Sequence, residues 1–115
     1  MITDDHFHLE SLEQFTSELG SAGFWQVTDS DPPRWTGEIH PAFGLLTDAK
    51  TMDIVIHPGW PFRPPDLIVQ GLNTNHSMRS GLVCMWQEGD LSLEWITLDG
   101  LHSRIKRWCE NAMNG

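Results

Sequence analysis

Tyrosine is absent from this 115-residue chain, and cysteine occurs only at Cys84 and Cys109. Without tyrosine, the bulky core anchors must come from six Trp and five Phe. Two cysteines are too few for a disulfide scaffold, and a reduced, cytoplasmic protein is the simplest expectation. A single Cys84–Cys109 bridge stays open as the rarer outcome. Basic residues are scarce: seven Lys and Arg stand against sixteen Asp and Glu, for a formal net charge of -9. Phosphate contacts need clustered cations, so nucleic acid is excluded as the main partner. Docking on anionic membranes is excluded on the same ground. The cations cluster once, at Arg104, Lys106 and Arg107. No apolar run approaches the ~18 residues that span a bilayer. After Met1 comes the acidic stretch Thr3-Asp4-Asp5, with no basic or apolar leader region, so a secretory signal is not expected. There is no Cys-x-x-Cys pair, no Gly-rich phosphate loop and no Gly-x-Ser-x-Gly elbow. His6 and His8 stand two apart and do not share a helix face, so no metal site is expected there.

What is present is ordinary for one globular domain, residues 1–115: 39% of the residues are hydrophobic and 20% charged. Leu9, Leu12, Phe15 and Leu19 form one apolar stripe, which predicts a helix over 3–20. Thr3 or Asp4 is its expected cap, Gly20 and Gly23 its stop, and Glu10, Glu13 and Glu18 its outer face. Strands are expected over 24–28, 34–40, 51–57 and 66–70. A Pro-bearing turn separates the first two, and residues 42–49 read as a loop. In the third strand Met52, Ile54 and Ile56 alternate with Asp53, Val55 and His57, the pattern of a half-buried strand. Short connections favour an antiparallel meander. Residues 71–96 lack a period but carry many apolar groups, which predicts a packed loop. Leu98, Leu101, Ile105, Trp108, Cys109 and Ala112 predict a second helix capped by Thr97. The expected class is α+β: an N-terminal helix, a four-stranded antiparallel meander, a long loop and a C-terminal helix on the same face.

The long loop holds the richest chemistry. It contains Asn75-His76-Ser77 and then Gly81-Leu82-Val83-Cys84, with the thiol eight positions after the imidazole. A thiolate is a strong nucleophile near neutral pH, and a thiol in an irregular loop is a candidate for covalent chemistry. Before the loop lies a Pro-rich corner, Trp60-Pro61-Phe62-Arg63-Pro64-Pro65. After it Trp95 stands just ahead of Thr97-Leu98.

In this order the motifs resemble the ubiquitin-conjugating enzyme fold. That family has a helix and meander, an aromatic-Pro-Phe-x-Pro-Pro corner, a His-Pro-Asn loop, Gly-x-x-Cys, and a Trp before its central helix. The match covers nearly the whole chain in order. The resemblance implies that Cys84 accepts the C-terminus of a ubiquitin-like protein as a thioester from an activating enzyme. The acyl group then passes to an amine on a protein target. The activating enzyme consumes the nucleotide, so no cofactor is implied. His76 is implied as loop organiser or base. Here Ser77 stands where the family motif has Pro, and Asn75 precedes the His instead of an Asn following it. Asn75, Ser77 and Asn73 are therefore candidates for supporting the oxyanion or the loop, and Asn75 is the preferred one. Eukaryotic members continue past their central helix and use a basic first helix, where this one is acidic. The resemblance is thus nearer compact bacterial members, which sit beside activating-enzyme homologues, some in antiviral defence operons.

Other readings remain alongside. The same fold can serve as a non-catalytic module that binds a ubiquitin-like protein. Cys84 with a His is also compatible with a cysteine hydrolase, although no third group is visible to orient His76. Trp60 and Phe62 are expected to pack under the loop, with the Trp60–Pro61 bond cis or trans. Trp86 is expected either in the core or shielding a thioester. Trp95 is expected beneath the second helix, His102 on its surface, and Cys109 as inert core.

Overall fold

Helix α1 (Ile2–Ser21) ends where Gly23 turns left-handed, with φ +90°. The Gly23 N–H donates to the Gly20 carbonyl and the Phe24 N–H to the Leu19 carbonyl, the two bonds of a Schellman stop. Phe24 and Leu19 then meet in the core, as that motif favours. The structure, a computed structural model, describes residues 2–72, 81–83, 85–86 and 92–114, and for residues 2–8 and 114 the backbone alone. The helix already begins at Ile2, so Thr3 and Asp4 lie inside it and neither is its cap. Leu12, Phe15 and Leu19 face the core as expected, but Leu9, on the same stripe, is 61% exposed.

Four strands follow in antiparallel order: β1 (Trp25–Gln26), β2 (Arg34–Glu38), β3 (Thr51–Val55) and β4 (Asp66–Ile68). Each is shorter than its sequence pattern suggests. Asp29 at φ 60° and the cis Asp31–Pro32 bond fall just after β1. The Val27 N–H still reaches the Arg34 carbonyl at 2.8 Å, so pairing persists one residue past the regular strand. Across the sheet, Gln26, Trp35, Ile54 and Leu67 form one row, and Trp25, Thr36, Asp53 and Ile68 the next. Ile54 and Leu67 belong to one core with Phe15 and Leu19 of α1, which puts the helices on that face. The opposite face carries polar pairs. The Arg34 Nε donates to Asp53 Oδ2 at 2.6 Å, and His57 Nε2 lies 2.6 Å from Asp66 Oδ2. Val55, expected among the outward residues, is buried nonetheless.

The residues expected as a plain loop at 42–49 begin with a 3-10 helix, Pro41–Leu45. The long stretch at 71–96 also carries more order than its lack of period suggests. Leu82 bridges Ile68 antiparallel, and a 3-10 turn spans Glu94–Ile96. Helix α2 (Leu98–Asn114) follows, and the Thr97 Oγ1 accepts the Gly100 N–H at 3.1 Å, the expected cap. A second acceptor comes from α1. Glu18, expected on an outer face, is half-buried, and its Oε1 takes the Leu98 N–H at 2.9 Å. A carboxylate at a helix N-terminus satisfies an orphan donor and complements the dipole. No helix among the described residues is long and apolar enough to cross a membrane.

Gly100 is fixed by packing, not by dihedral angle. A Cβ there would stand 2.0 Å from the Glu94 carbonyl oxygen, a backbone atom that cannot swing aside. In an open helix, Gly→Ala gains about 1 kcal/mol of helix propensity. Here we expect Gly100→Ala to destabilise, by about 1–3 kcal/mol, the usual range for overpacking. A urea midpoint for the variant at or above that of the parent would contradict this.

Candidate functional site

Cys84, His76, Asn75, Ser77 and Asn73 all lie outside the described residues. What the structure defines is the frame on either side of Cys84. On the N-terminal side stands Gly81, with φ +88°. A Cβ there would meet Gln70 Nε2 at 2.8 Å, the Val69 carbonyl at 3.0 Å and Ile68 Cγ2 at 3.1 Å. Only glycine fits both the angle and the space. The crowding comes from pairing with the end of β4. The Val69 N–H donates to the Gly81 carbonyl at 2.8 Å, and the Val83 N–H to the Leu67 carbonyl at 2.9 Å. Val83 is buried in the core.

On the C-terminal side, Met85 is buried, and its N–H donates to the Val83 carbonyl at 3.0 Å. The Arg104 Nε of α2 donates to the Met85 carbonyl at 3.2 Å. The same guanidinium stacks on Trp86, 5.0 Å from the ring centroid. It also lies 3.5 Å from Glu94, whose carboxylate pairs with Arg107 as well. Sequence reasoning grouped Arg104, Lys106 and Arg107 as one basic cluster. Folding assigns Arg104 to the frame and Arg107 to Glu94, and no spacing signal in the sequence foretells that.

The Pro-rich corner is the floor of this frame. Pro61 and Pro65 are fully buried, and the Trp60–Pro61 bond is cis. Two indoles bind the corner. The Trp95 N–H donates to the Pro61 carbonyl at 2.7 Å, and the Trp86 N–H to the Pro65 carbonyl at 3.0 Å. The two rings meet edge to face, 4.9 Å apart. Trp95 is wholly buried beneath α2, as expected, and Trp86 is half-buried against the core. Trp60 and Phe62 do not pack as a pair under the loop. Trp60 turns toward α1, stacks 4.8 Å from Phe15, and donates to Ser11 Oγ at 3.1 Å. Phe62 is 64% exposed.

Cys109 is buried on α2, and burial pushes its thiol up to about 11, with Glu110 adding to the shift. So high a value leaves little thiolate at neutral pH, so Cys109 is inert core as expected. His102 is not a plain surface residue. It is half-buried, and its ring lies 5.0 Å from that of His40. His40 Nδ1 accepts the Ala42 N–H at 3.0 Å and so caps the 3-10 helix. Burial lowers the pKa of both rings. For His40 the neighbouring His102 and Lys106 lower it further, while Asp99 partly offsets the effect at His102. No group of three His, Cys, Asp or Glu able to hold a metal occurs among the described residues. The side chains of His6 and His8 lie outside them.

Two outcomes follow from these contacts. Trp95→Phe keeps the ring but removes the donor to a buried carbonyl, a change that costs about 1–3 kcal/mol. Chemical denaturation of the variant checks it, and an unchanged midpoint would refute the role given to the indole N–H. The histidine pair sets a pH dependence. Both folded values lie below the ordinary ~6.5, so the unfolded chain binds more protons as the pH drops through that value. The pair's contribution is complete above about pH 6.5 and is lost on acidification below it. Urea midpoints of the parent should therefore fall more between pH 7.5 and 5.5, on the order of those values, than midpoints of His102→Gln. Equal slopes would remove the pair as the cause. The chain matches no protein-family model, no curated protein and no solved structure.

Proposed function

We propose that this chain is a thioester carrier of the ubiquitin-conjugating type, acting in the cytoplasm. Its partners are an activating enzyme, a ubiquitin-like protein and a protein target. In the first step the Cys84 thiolate attacks the thioester carbonyl held on the activating enzyme. A new carbon–sulfur bond forms, the old one breaks, and the enzyme's sulfur leaves as thiolate. In the second step an amine of the target attacks the Cys84 thioester. A carbon–nitrogen bond forms, the Cys84 thiol is released, and the amine gives up a proton. No oxidation occurs in either step. His76 organises the loop or assists proton transfer, and Asn75 and Ser77 supply donors toward the oxyanion.

The reading rests first on the order of motifs in the sequence, from the Pro corner through Gly81-x-x-Cys84 to Trp95. The structural observation that supports it most is the anchoring on both sides of Cys84. Val83 is bonded to β4, and Met85 and Trp86 are bonded to α2 and the corner. Reactive groups are commonly presented by loops that a rigid scaffold positions. The α+β plan of two helices and a four-stranded antiparallel sheet is compatible with the same fold.

The decisive experiment mixes the protein with its activating enzyme, ATP and ubiquitin-like protein. An adduct that a reductant removes, and that Cys84→Ala does not form, is expected. Cys109→Ala should form the adduct as the parent does, since its thiol is buried. Absence of the adduct with an active cognate set would sink the carrier reading and leave the binding module. Turnover of an isopeptide or ester without the activating enzyme would point to the hydrolase instead.

A further inference from the structure

The two residues that flank Cys84 are bonded to each other. The Met85 N–H donates to the Val83 carbonyl at 3.0 Å, and the Val83 N–H donates to the Leu67 carbonyl of β4 at 2.9 Å. These bonds tie the flanks to the sheet. The Met85 carbonyl is taken from the helical layer instead, by the Arg104 Nε of α2 at 3.2 Å. One guanidinium meets three partners with three different parts. Nε holds the Met85 carbonyl, Nη1 lies 3.5 Å from Glu94 Oε1, and Cζ lies over the Trp86 ring, 5.0 Å from its centroid. A guanidinium is planar with its donors in fixed directions, so partners on two edges and one face set both its place and its tilt. The Arg104 side chain is 22% exposed.

A cation is a costly way to satisfy one neutral carbonyl. A hydroxyl or an amide would do so without drawing a charge out of water. The chain has only seven Lys and Arg, yet one of them is bonded to the residue that follows Cys84. Beyond a neutral donor, a guanidinium supplies charge and a fixed direction. Glu94 offsets the charge of Arg104, and of Arg107 as well. Direction is then the property that distinguishes Arg104 from a neutral donor.

We propose that Arg104 is a positioning residue for Cys84, holding the Met85 carbonyl so that the thiol meets an incoming thioester at a fixed angle. The role rests on the carrier reading, and it falls to a residue outside the motifs that suggest that reading. Arg104 acts through Met85, so its loss slows acceptance without abolishing it. A 1 Å misplacement of a reacting group costs on the order of 100-fold, and the loss of one tie among several is a smaller disturbance, about tenfold.

The test is single-turnover mixing with an excess of the activating enzyme, loaded with the ubiquitin-like protein, reading the Cys84 adduct against time. Arg104→Lys and Arg104→Gln should each slow the saturated rate about tenfold. The half-saturating concentration and the final yield should stay as in the parent. Lys keeps the charge but neither the plane nor a donor at the Nε position, so it should not rescue the rate. Lys106→Gln removes a neighbouring charge from α2 at an exposed position and should react as the parent does. Iodoacetamide labelling of the buried Cys109 reports on the core and should be unchanged in all three variants. A parent-like rate in either Arg104 variant overturns the role. Equal slowing by Lys106→Gln overturns it too, as does a loss of yield alone with faster Cys109 labelling. An adduct on the parent that the Arg104 variants form equally fast removes this role and leaves the carrier reading standing. No adduct on the parent, with an active enzyme set, removes both.

Discussion

The joint between the Trp95 indole and the Pro61 carbonyl holds the parts of this fold in register. Pro61 sits in a corner rich in prolines, where the backbone has few donors to offer its own carbonyls. A buried carbonyl without a partner is expensive. An indole meets that need, since it brings a large apolar body and one N–H. The bond at 2.7 Å ties the 3-10 turn ahead of α2 to the corner ahead of β4. Trp86 repeats the device four residues along the corner, at Pro65, and its ring leans on Trp95. Among the described residues, two indole–carbonyl bonds, a short strand bridge and the Arg104–Met85 bond tie down the stretch between β4 and α2. Without them the C-terminal helix would be attached mainly by its apolar stripe, which fixes depth more than register.

Charge is arranged around the same joint. In a chain so rich in acids, an acid that finds a donor or cation stabilises, and one that does not adds repulsion. Glu18 crosses from α1 to the first N–H of α2, and Glu94 gathers Arg104 and Arg107 ahead of that helix. Arg104 then reaches Trp86 and the Met85 carbonyl. These links run from α1 through α2 to the frame of the long loop. Each partly exposed ion pair is worth little alone. Their value is directional, because charge-assisted bonds constrain angle and distance where apolar packing does not.

The elements that could be read from sequence are those governed by local periodicity. The stripe of α2 and the Thr97 cap follow from spacing alone, and so does the alternation of β3 apart from Val55, which is buried. The misreadings share one cause: a decision made by residues far away in the chain. Leu9 has the spacing of a core residue, yet the packing that covers Leu12, Phe15 and Leu19 leaves it 61% exposed. Glu18 looks like outer-face polarity until α2, eighty positions away, presents its first N–H. His102 reads as surface until the segment before the 3-10 helix lays His40 against it. Leu82 has no helical or strand period, yet it pairs with Ile68 because β4 offers an open edge. At the candidate site, crowding by residues 68–70 gives the glycine of Gly81-x-x-Cys84 a physical basis.

The constraint at Gly81 also bears on how the proposed chemistry divides between frame and loop. Accepting an acyl group asks for a nucleophile held within reach of a large partner. Handing it on asks for donors placed against the charge that develops on the carbonyl oxygen. The described frame speaks to the first demand only. Val83 and Met85 are each tied to the folded core, so the chain positions that flank the thiol have little freedom to migrate. Under the proposed function the second demand would fall on Asn75, His76 and Ser77, which precede Gly81 in the sequence. Gly81, which admits no side chain and accepts the Val69 N–H, stands between these residues and Cys84 in the chain. Under the proposed function, substitutions between 73 and 80 would then alter transfer while leaving acceptance largely intact, since the anchors beside Cys84 do not pass through them.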